Sequence, residues 1–282
     1  LNHDNPGICI DYGAMWGSLS VGMAKRGHEV IAIDQTYDSL NFLRYRSKEE
    51  GLRNIHFVQD DIRLVNFNNI ADYAIVNGVL EWIPETSEVI VNEYYEGSNS
   101  NKVSSKYKTK SKKPRDMQLE FLKKVYKSLN TNGKLLLSIE NRLSYEYFIG
   151  KPDPHVNLLF TTFLPRFISN AISQIFRKKN YITYIYSFNE IKKLIKEAGF
   201  SNLEDFCCFP MYHFPALILP NSFNGISLAP TLLLTEKPPG LLENRPANSV
   251  IGPRPVPLLN SALPPSAMLN GLSKLFLCKY SS

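Results

Sequence analysis

The chain has 282 residues, 44% of them apolar and 12% aromatic, with a net charge of +6. That supports one large domain with a real core, while apolar runs such as HFPALILP are far too short to span a bilayer. The basic excess is local: residues 101–115, NKVSSKYKTKSKKPR, hold seven Lys or Arg and no acid, and without them 25 basic residues face 26 acidic ones. A basic surface suited to nucleic acid is therefore not a property of the whole chain.

No charged-then-apolar leader opens the chain, so no secretory signal is read. The first residue is Leu1, not Met, which reads as a fragment or processed form. Cys9, Cys207, Cys208 and Cys278 show no CxxC spacing, and the five histidines are scattered. Reduced thiols, no metal site and a cytoplasmic location are expected.

In chain order, GICIDY (7–12) reads as a buried strand, 18–26 as a helix closed by Gly27, and EVIAID (29–34) as a second strand. DSLNFLRYRSKEEG (38–51) is a second helix, IHFVQDD (55–61) a third strand and ADYAIVNGVL (71–80) a fourth. A helix over 116–129 and the strand KLLLSIEN (134–141) follow. This alternation predicts right-handed βαβ units, a parallel sheet and helices on both faces. The Lys-rich stretch 96–115 interrupts it and reads as a solvated loop.

A second interruption spans 150–186. Inside it, TFLPRFISNAISQIFRKK puts Phe167, Ala171, Ile172, Ile175 and Phe176 on one helical face. A lid or core helix is the reading taken, with contact to a membrane surface as the alternative. SFNE (187–190) is a capping-box start, and Gly199 ends that helix. LEDFCCF (203–209) and SKLFLCKY (273–280) read as two last strands, separated by a loop with eight prolines over 237–266. The expected parts are a cofactor-binding half (1–149), a helical cap (150–186) and the C-terminal part of the sheet (187–282).

Ligands of an open parallel sheet bind outside the carboxyl ends of its strands. Three of those ends carry acids: Asp11, Asp34, and Asp60 with Asp61. Gly13 and Gly17 follow the first strand, so CIDYGAMWGSLS reads as a nucleotide loop. The dinucleotide fingerprint fails at Met15 and Ser18, and no GK[ST] occurs for a phosphate loop.

IDYGAMWGSLS, VIAIDQT, IHFVQDD, ADYAIVNGVLEWIP and YSFNEIKKLIKEAGF, in that order, resemble the class I S-adenosylmethionine-dependent methyltransferases over most of residues 7–209. Met15 stands where that family's loop has its middle glycine. The resemblance implies a doubly wound, mostly parallel seven-stranded α/β sheet with a helical cap and an antiparallel last strand, and S-adenosylmethionine as cofactor. It also implies roles: Gly13 and Gly17, with Ala14, near the methionine part, and Asp34, beside Gln35, on both ribose hydroxyls. Asp61 would take the adenine amino group, with Ile62 against the base; Asn77 and Gly78 would border methionine and acceptor. Asp11 is expected to orient the loop backbone. NGVLEWIP, IENRLSYEYFIGKPDPH and FTTFLPRF also resemble methyltransferases encoded beside bacterial polysaccharide genes, which implies a glycan or related small-molecule acceptor.

A hydroxyl acceptor needs a base. His155, in KPDPH just past the fifth strand, is the first candidate, with a turn brace as its other reading. Glu81, Glu140 and Asn141 near strand ends follow, each equally readable as a loop hydrogen-bonder. His213 reads as a half-buried loop histidine; Trp16, Trp82 and the tyrosines of NYITYIY (180–186) read as packing. Two alternatives stay open: a cofactor-binding but inactive module, given Met15, and a nucleic-acid methyltransferase using the Lys-rich stretch. The latter lacks interleaved aromatics beyond Tyr107 and an NPPY-like tetrad after the fourth strand, where NGVL stands. The oligomeric state is not legible.

Overall fold

Short apolar runs bounded by acids or glycines become buried parallel strands where helices cover both faces of a sheet. In the computed structural model, β1 (Ile8–Tyr12), β2 (Glu29–Asp34), β3 (Ile55–Gln59), β4 (Ala71–Asn77) and β5 (Leu129–Ile139) are such strands, parallel and in the order β3-β2-β1-β4-β5. The structure describes residues 6–84, 113–220 except 154, 179, 182 and 214, and 231–238, all within the first of two compact units, Leu1–Leu242. Expectations for the Lys-rich stretch up to residue 112, for the proline-rich stretch beyond 238, for the strand 273–280 and for Cys278 lie outside the described residues.

Helix α1 (Ser18–Ala24) connects β1 to β2, α2 (Tyr37–Glu49) connects β2 to β3, and α3 (Pro114–Ser128) precedes β5. α3 starts two residues before its predicted position, with Pro114 at the N-terminal place where a missing N–H costs nothing. The strand side chains alternate between two cores. Ile10, Ile33, Ala74, Val76 and Leu137 meet α3 through Leu122 and Val125. Cys9, Val30, Ala32 and Ile75 meet α1 and α2 through Val21, Met23 and Leu43. Cys9, Cys207 and Cys208 are free thiols.

Past β5 the sheet becomes antiparallel. β8 (Thr231–Glu236) lies between β5 and β6 (Ser201–Phe209), antiparallel to both, and β7 (Leu217–Pro220) pairs antiparallel with β6 at the edge. Among the described residues there are eight strands: six were expected, β7 and β8 are additions, and the expected strand 273–280 lies outside them. The added inner strand, TLLLTE, has three consecutive leucines that hide its alternation, yet Thr231, Leu233 and Thr235 are its buried members.

Helices α4 (Tyr145–Phe148), α5 (Arg166–Arg177) and α6 (Phe188–Glu197) complete the described elements. α6 has the predicted capping box: the Ser187 backbone N–H and hydroxyl both donate to Glu190 Oε2, at 2.8 and 2.7 Å. α5 is a helix where its periodicity placed one, but it is turned over. Ser169 and Ser173 are buried, while Phe167, Ile175 and Phe176 are each about three-quarters exposed. Ser169 donates to the carbonyl of Thr161, which fixes the polar face inward. No helix among the described residues is long and apolar enough to cross a membrane.

Candidate active site

Site residues cluster at the carboxyl ends of β1, β2, β4 and β5. After β1, the Gly13 and Ala14 N–H groups both donate to the Ile33 carbonyl at 2.9 Å, folding the loop over β2. Met15 carries the irregularity seen in the sequence: its φ of 49° is left-handed, and its side chain is exposed. The loop thus takes the conformation a glycine would supply while the bulky side chain points out. Gly17 starts α1 at φ 73°, and a Cβ there would lie 1.9 Å from Leu43 Cδ1. Its lack of a side chain lets α2 pack against the loop, a packing duty distinct from approach to a ligand. Trp16 leans on Phe42 of α2, with ring centroids 6.1 Å apart.

Asp34, at the end of β2, accepts from the Met15 N–H through Oδ2 at 2.9 Å and from the Thr36 N–H through Oδ1 at 2.8 Å. Each oxygen keeps a further acceptor position. Gln35 beside it is exposed, and its carbonyl accepts from Gln59. Asp11 is buried beneath the loop and accepts from the Ser20 hydroxyl at 2.6 Å, so it ties β1 to α1. Burial, with a smaller push from the Asp34 charge, raises its pKa to about 6.

Asp61, beyond β3, is buried and held by the Arg63 guanidinium: Nη2 to Oδ2 at 2.6 Å and Nε to Oδ1 at 2.9 Å. Ile62 is buried and belongs to the same core cluster as Tyr12 and Phe121. Asn77 is the last residue of β4, paired with Ser138 of β5. Gly78 follows at φ 65°; a Cβ there would sit 2.6 Å from the Tyr212 hydroxyl and 3.2 Å from His213 Cε1. Tyr212 and His213 therefore close over the end of β4.

Around that point the structure gathers Glu81, Glu140, Asp153, His155 and Tyr212. Glu81 lies in a 3-10 turn (Leu80–Trp82) after β4 and is 3% exposed. The Tyr212 hydroxyl donates to its Oε1 at 3.3 Å, and its Oε2 has no partner. Burial, then the Glu140 charge, pushes the Glu81 pKa up to about 7. Glu140 follows β5, and burial raises its pKa also. His155 Nδ1 lies 3.1 Å from Asp153 Oδ1 and 3.4 Å from Glu140 Oε2, with the Trp82 ring edge-on at 4.6 Å. Burial alone would lower the His155 pKa; the hydrogen bond to Asp153 and the Glu140 charge outweigh it and raise it. Asp153 is lowered despite burial, because it accepts from His155 and, at 2.7 Å, from the Tyr181 hydroxyl. His213 is lowered by burial and by the nearby His155. An open cleft beside the cluster is lined by Glu140, Ser144, Tyr147, Lys151 and Tyr212 among others.

The structure thus brings Glu81, Glu140 and His155 together. Asn141 is buried next to them, and its Oδ1 accepts from the Leu143 N–H at 3.0 Å in a tight turn. Sequence reasoning missed Tyr212, which is 131 residues from Glu81 and meets it only through the sheet order. It also missed Asp153, two residues before His155, as the group that fixes the imidazole; the i, i+2 spacing of an acid and a histidine was the available signal.

A family model described as a methyltransferase domain matches residues 4–148, which is 145 of the 282 residues. No curated protein matches the chain. Among solved structures, it is similar to a SAM-dependent methyltransferase from Methanosarcina mazei, with 12% identity, 85% of this chain and 95% of that one covered, and a TM-score of 0.51. It is also similar to a protein from Listeria monocytogenes described as an S-adenosylmethionine dependent methyltransferase, with 14% identity, coverages of 84% and 92%, and a TM-score of 0.52. These likenesses agree with the mostly parallel sheet and its antiparallel end. The family match runs from before β1 to α4 and takes in Asp34, Glu81 and Glu140: the chain belongs to the methyltransferase-domain family.

Proposed function

We propose that the chain transfers the methyl group of S-adenosylmethionine to a hydroxyl of a saccharide or related small molecule. The observation that carries this is the Glu81–Glu140–His155 cluster, buried at Glu81 and half-buried at the other two, at the carboxyl ends of β4 and β5. That is where an open sheet places its ligand.

The donor set suits the cofactor. Asp34 has acceptor positions left for two ribose hydroxyls while its backbone bonds hold it still. Asp61 accepts from Arg63 through both oxygens, so an adenine amino group there would share one of those oxygens with the guanidinium, with Ile62 the neighbouring apolar side chain. Gly13, Ala14, Asn77 and Gly78 let the backbone come close to the methionine part, and Asp11 keeps α1 in place beneath. Bound S-adenosylmethionine supplies an electrophilic methyl on a sulfonium. The protein aligns the acceptor, excludes water and takes up its proton. The proton goes to the Glu81–Glu140–His155 cluster, which Asp153, Tyr181 and Tyr212 hold in place; Asn141 shapes the wall.

The acceptor class rests on the cleft, whose tyrosines and paired Glu146 and Lys151 suit a polyhydroxylated molecule, and on the motifs shared with polysaccharide-associated methyltransferases. Calorimetric titration with S-adenosylmethionine and, separately, NAD tests the cofactor, and transfer of labelled methyl to a panel of free and nucleotide-linked sugars tests the acceptor. Micromolar binding of S-adenosylmethionine alone, with labelled sugar product, is expected. Binding of NAD instead would overturn the reading.

A further inference from the structure

Among the described residues, the carboxyl groups of the Glu81–Glu140–His155 cluster outnumber the cations that face them. Three carboxylates, those of Glu81, Glu140 and Asp153, face one imidazole. One imidazole cannot pair all three at once. Lys151, which lines the cleft, is paired with Glu146 at 2.8 Å and acts on Glu140 only through its charge. Two buried oxygens, Glu81 Oε2 and Glu140 Oε2, accept no hydrogen bond. Leaving such groups unpaired in a dry site costs several kcal/mol in principle, so a ligand that pairs both at once has a large gain available. A single Nδ1–H of His155 cannot serve Asp153 and Glu140 together. When it is given to Asp153, Glu140 is short of a donor and Nε2 keeps its lone pair.

We infer that Glu81, Glu140 and His155 form a divalent-cation site, which gives an acceptor oxygen a fixed point beside the methyl donor. One ligand atom from each of the three lies within 4.8 Å of the others, and Glu81 is 97% buried with its Oε2 accepting no hydrogen bond from the described residues. Asp153 and Glu140 both face His155 Nδ1, at 3.1 and 3.4 Å, and a carboxylate that fixes the ring, as Asp153 does, is what orients a histidine ligand. Asp153 is fixed in turn by Tyr181, and Tyr212 holds Glu81. Two carboxylates and an imidazole suit first-row divalent ions such as Mn²⁺ and Zn²⁺ better than Ca²⁺, which takes six to eight oxygens. The cation site deepens the proposed methyl transfer and takes its purpose from that reading, though binding of the ion does not depend on it.

The test is calorimetric titration of the chelator-treated full chain with Mn²⁺ and with Zn²⁺, each followed by a titration with S-adenosylmethionine. One ion per chain with micromolar affinity is expected for at least one of the two. Glu81→Gln and Glu140→Gln should each weaken it at least tenfold, and Asp153→Asn about tenfold. S-adenosylmethionine binding by each variant reports that it is folded. Failure of the unaltered chain to bind either ion, or equal affinity in Glu81→Gln and Glu140→Gln, overturns the site. S-adenosylmethionine binding without ion binding leaves the methyltransferase reading standing alone. Ion binding without S-adenosylmethionine binding removes that reading and keeps the cation site.

Discussion

The two ends of the candidate site solve the same electrostatic problem in opposite ways. At the β1–β3 end, every buried or half-buried carboxylate is already paired by the chain: Asp34 by two backbone N–H groups, Asp11 by Ser20, Asp61 by Arg63. At the β4–β5 end, Glu81 Oε2 and Glu140 Oε2 are buried and accept no hydrogen bond from the described residues. The first end is preorganised: burial raises Asp11 to about 6, yet each of its carboxylates has a donor in place. At the second, burial and neighbouring carboxylates raise Glu81 and Glu140, and fewer donors offset them. Preorganisation is affordable where the ligand is large and always the same; an unsatisfied cluster suits a place where something must enter, react and leave.

The sharpest way to break the first end is steric. Gly17→Ala places a methyl 1.9 Å from Leu43 Cδ1 at a left-handed φ of 73°. Overpacking and backbone strain together should cost about 3–5 kcal/mol of unfolding free energy, read by urea denaturation. Leu43→Ala opens a cavity in the core, so the double variant should cost less than the sum of the two single changes, by the steric share. Full additivity would mean that the backbone angle alone makes the position a glycine.

Next in size is Asp34→Ala, expected to weaken S-adenosylmethionine binding about 100-fold or more by calorimetry, the worth of one or two charge-assisted hydrogen bonds. The variant also frees the Met15 and Thr36 N–H groups. Asp34→Asn, which still offers one acceptor oxygen, should therefore fall between the two. Unchanged affinity in Asp34→Ala would remove the ribose assignment and leave Asp34 a loop brace.

The contrast between the two ends also explains what the sequence could show. Asp11, Asp34, Gly78 and Glu81 were legible because parallel strands alternate with helices and place their carboxyl ends on one side. Each is found by counting to the end of an apolar run. Tyr212 was not, because its contact with Glu81 depends on β8, whose LLL run conceals a strand, and on the chain's return to the sheet past β6. The direction of α5 was not legible either. Periodicity gives a stripe but not the face it turns, and here the serines find acceptors inside. Asp61 was read as open to a base, while Arg63, two residues on, already grips it.

A smaller effect comes from Asp11. Its pKa is raised from 3.8 to about 6 by burial, so the folded state holds a proton more tightly than the unfolded chain. The stability this group contributes is fully present below about pH 4 and is lost as pH rises through about 6. The loss is on the order of 2–3 kcal/mol between those limits. Asp11→Asn does not titrate and should lack that slope. The test is the difference in Tm between the two proteins at pH 5 and pH 7.5, with Asp11→Asn gaining on the unaltered chain at the higher pH. A constant difference would show that Asp11 stays charged in the fold, paired more strongly than its contact with Ser20 accounts for.

The smallest expected effect separates grip from recognition at Asp61. Arg63→Ala removes the guanidinium but leaves the Arg63 backbone N–H on Asp61 Oδ1, at 2.9 Å in the unaltered chain. Asp61 is buried, so losing the guanidinium leaves its carboxylate short of donors and should cost about 1–2 kcal/mol of stability, the backbone N–H limiting the loss. If Asp61 receives the adenine amino group, the carboxylate loses its positioner but keeps its charge, and S-adenosylmethionine affinity should fall less than about fivefold. Asp61→Asn should then cost more than Arg63→Ala, because it removes the acceptor charge itself. The reverse order would place Arg63, not Asp61, against the ligand. The β3 end would then be preorganised around a cation, with Asp61 as the group that holds it.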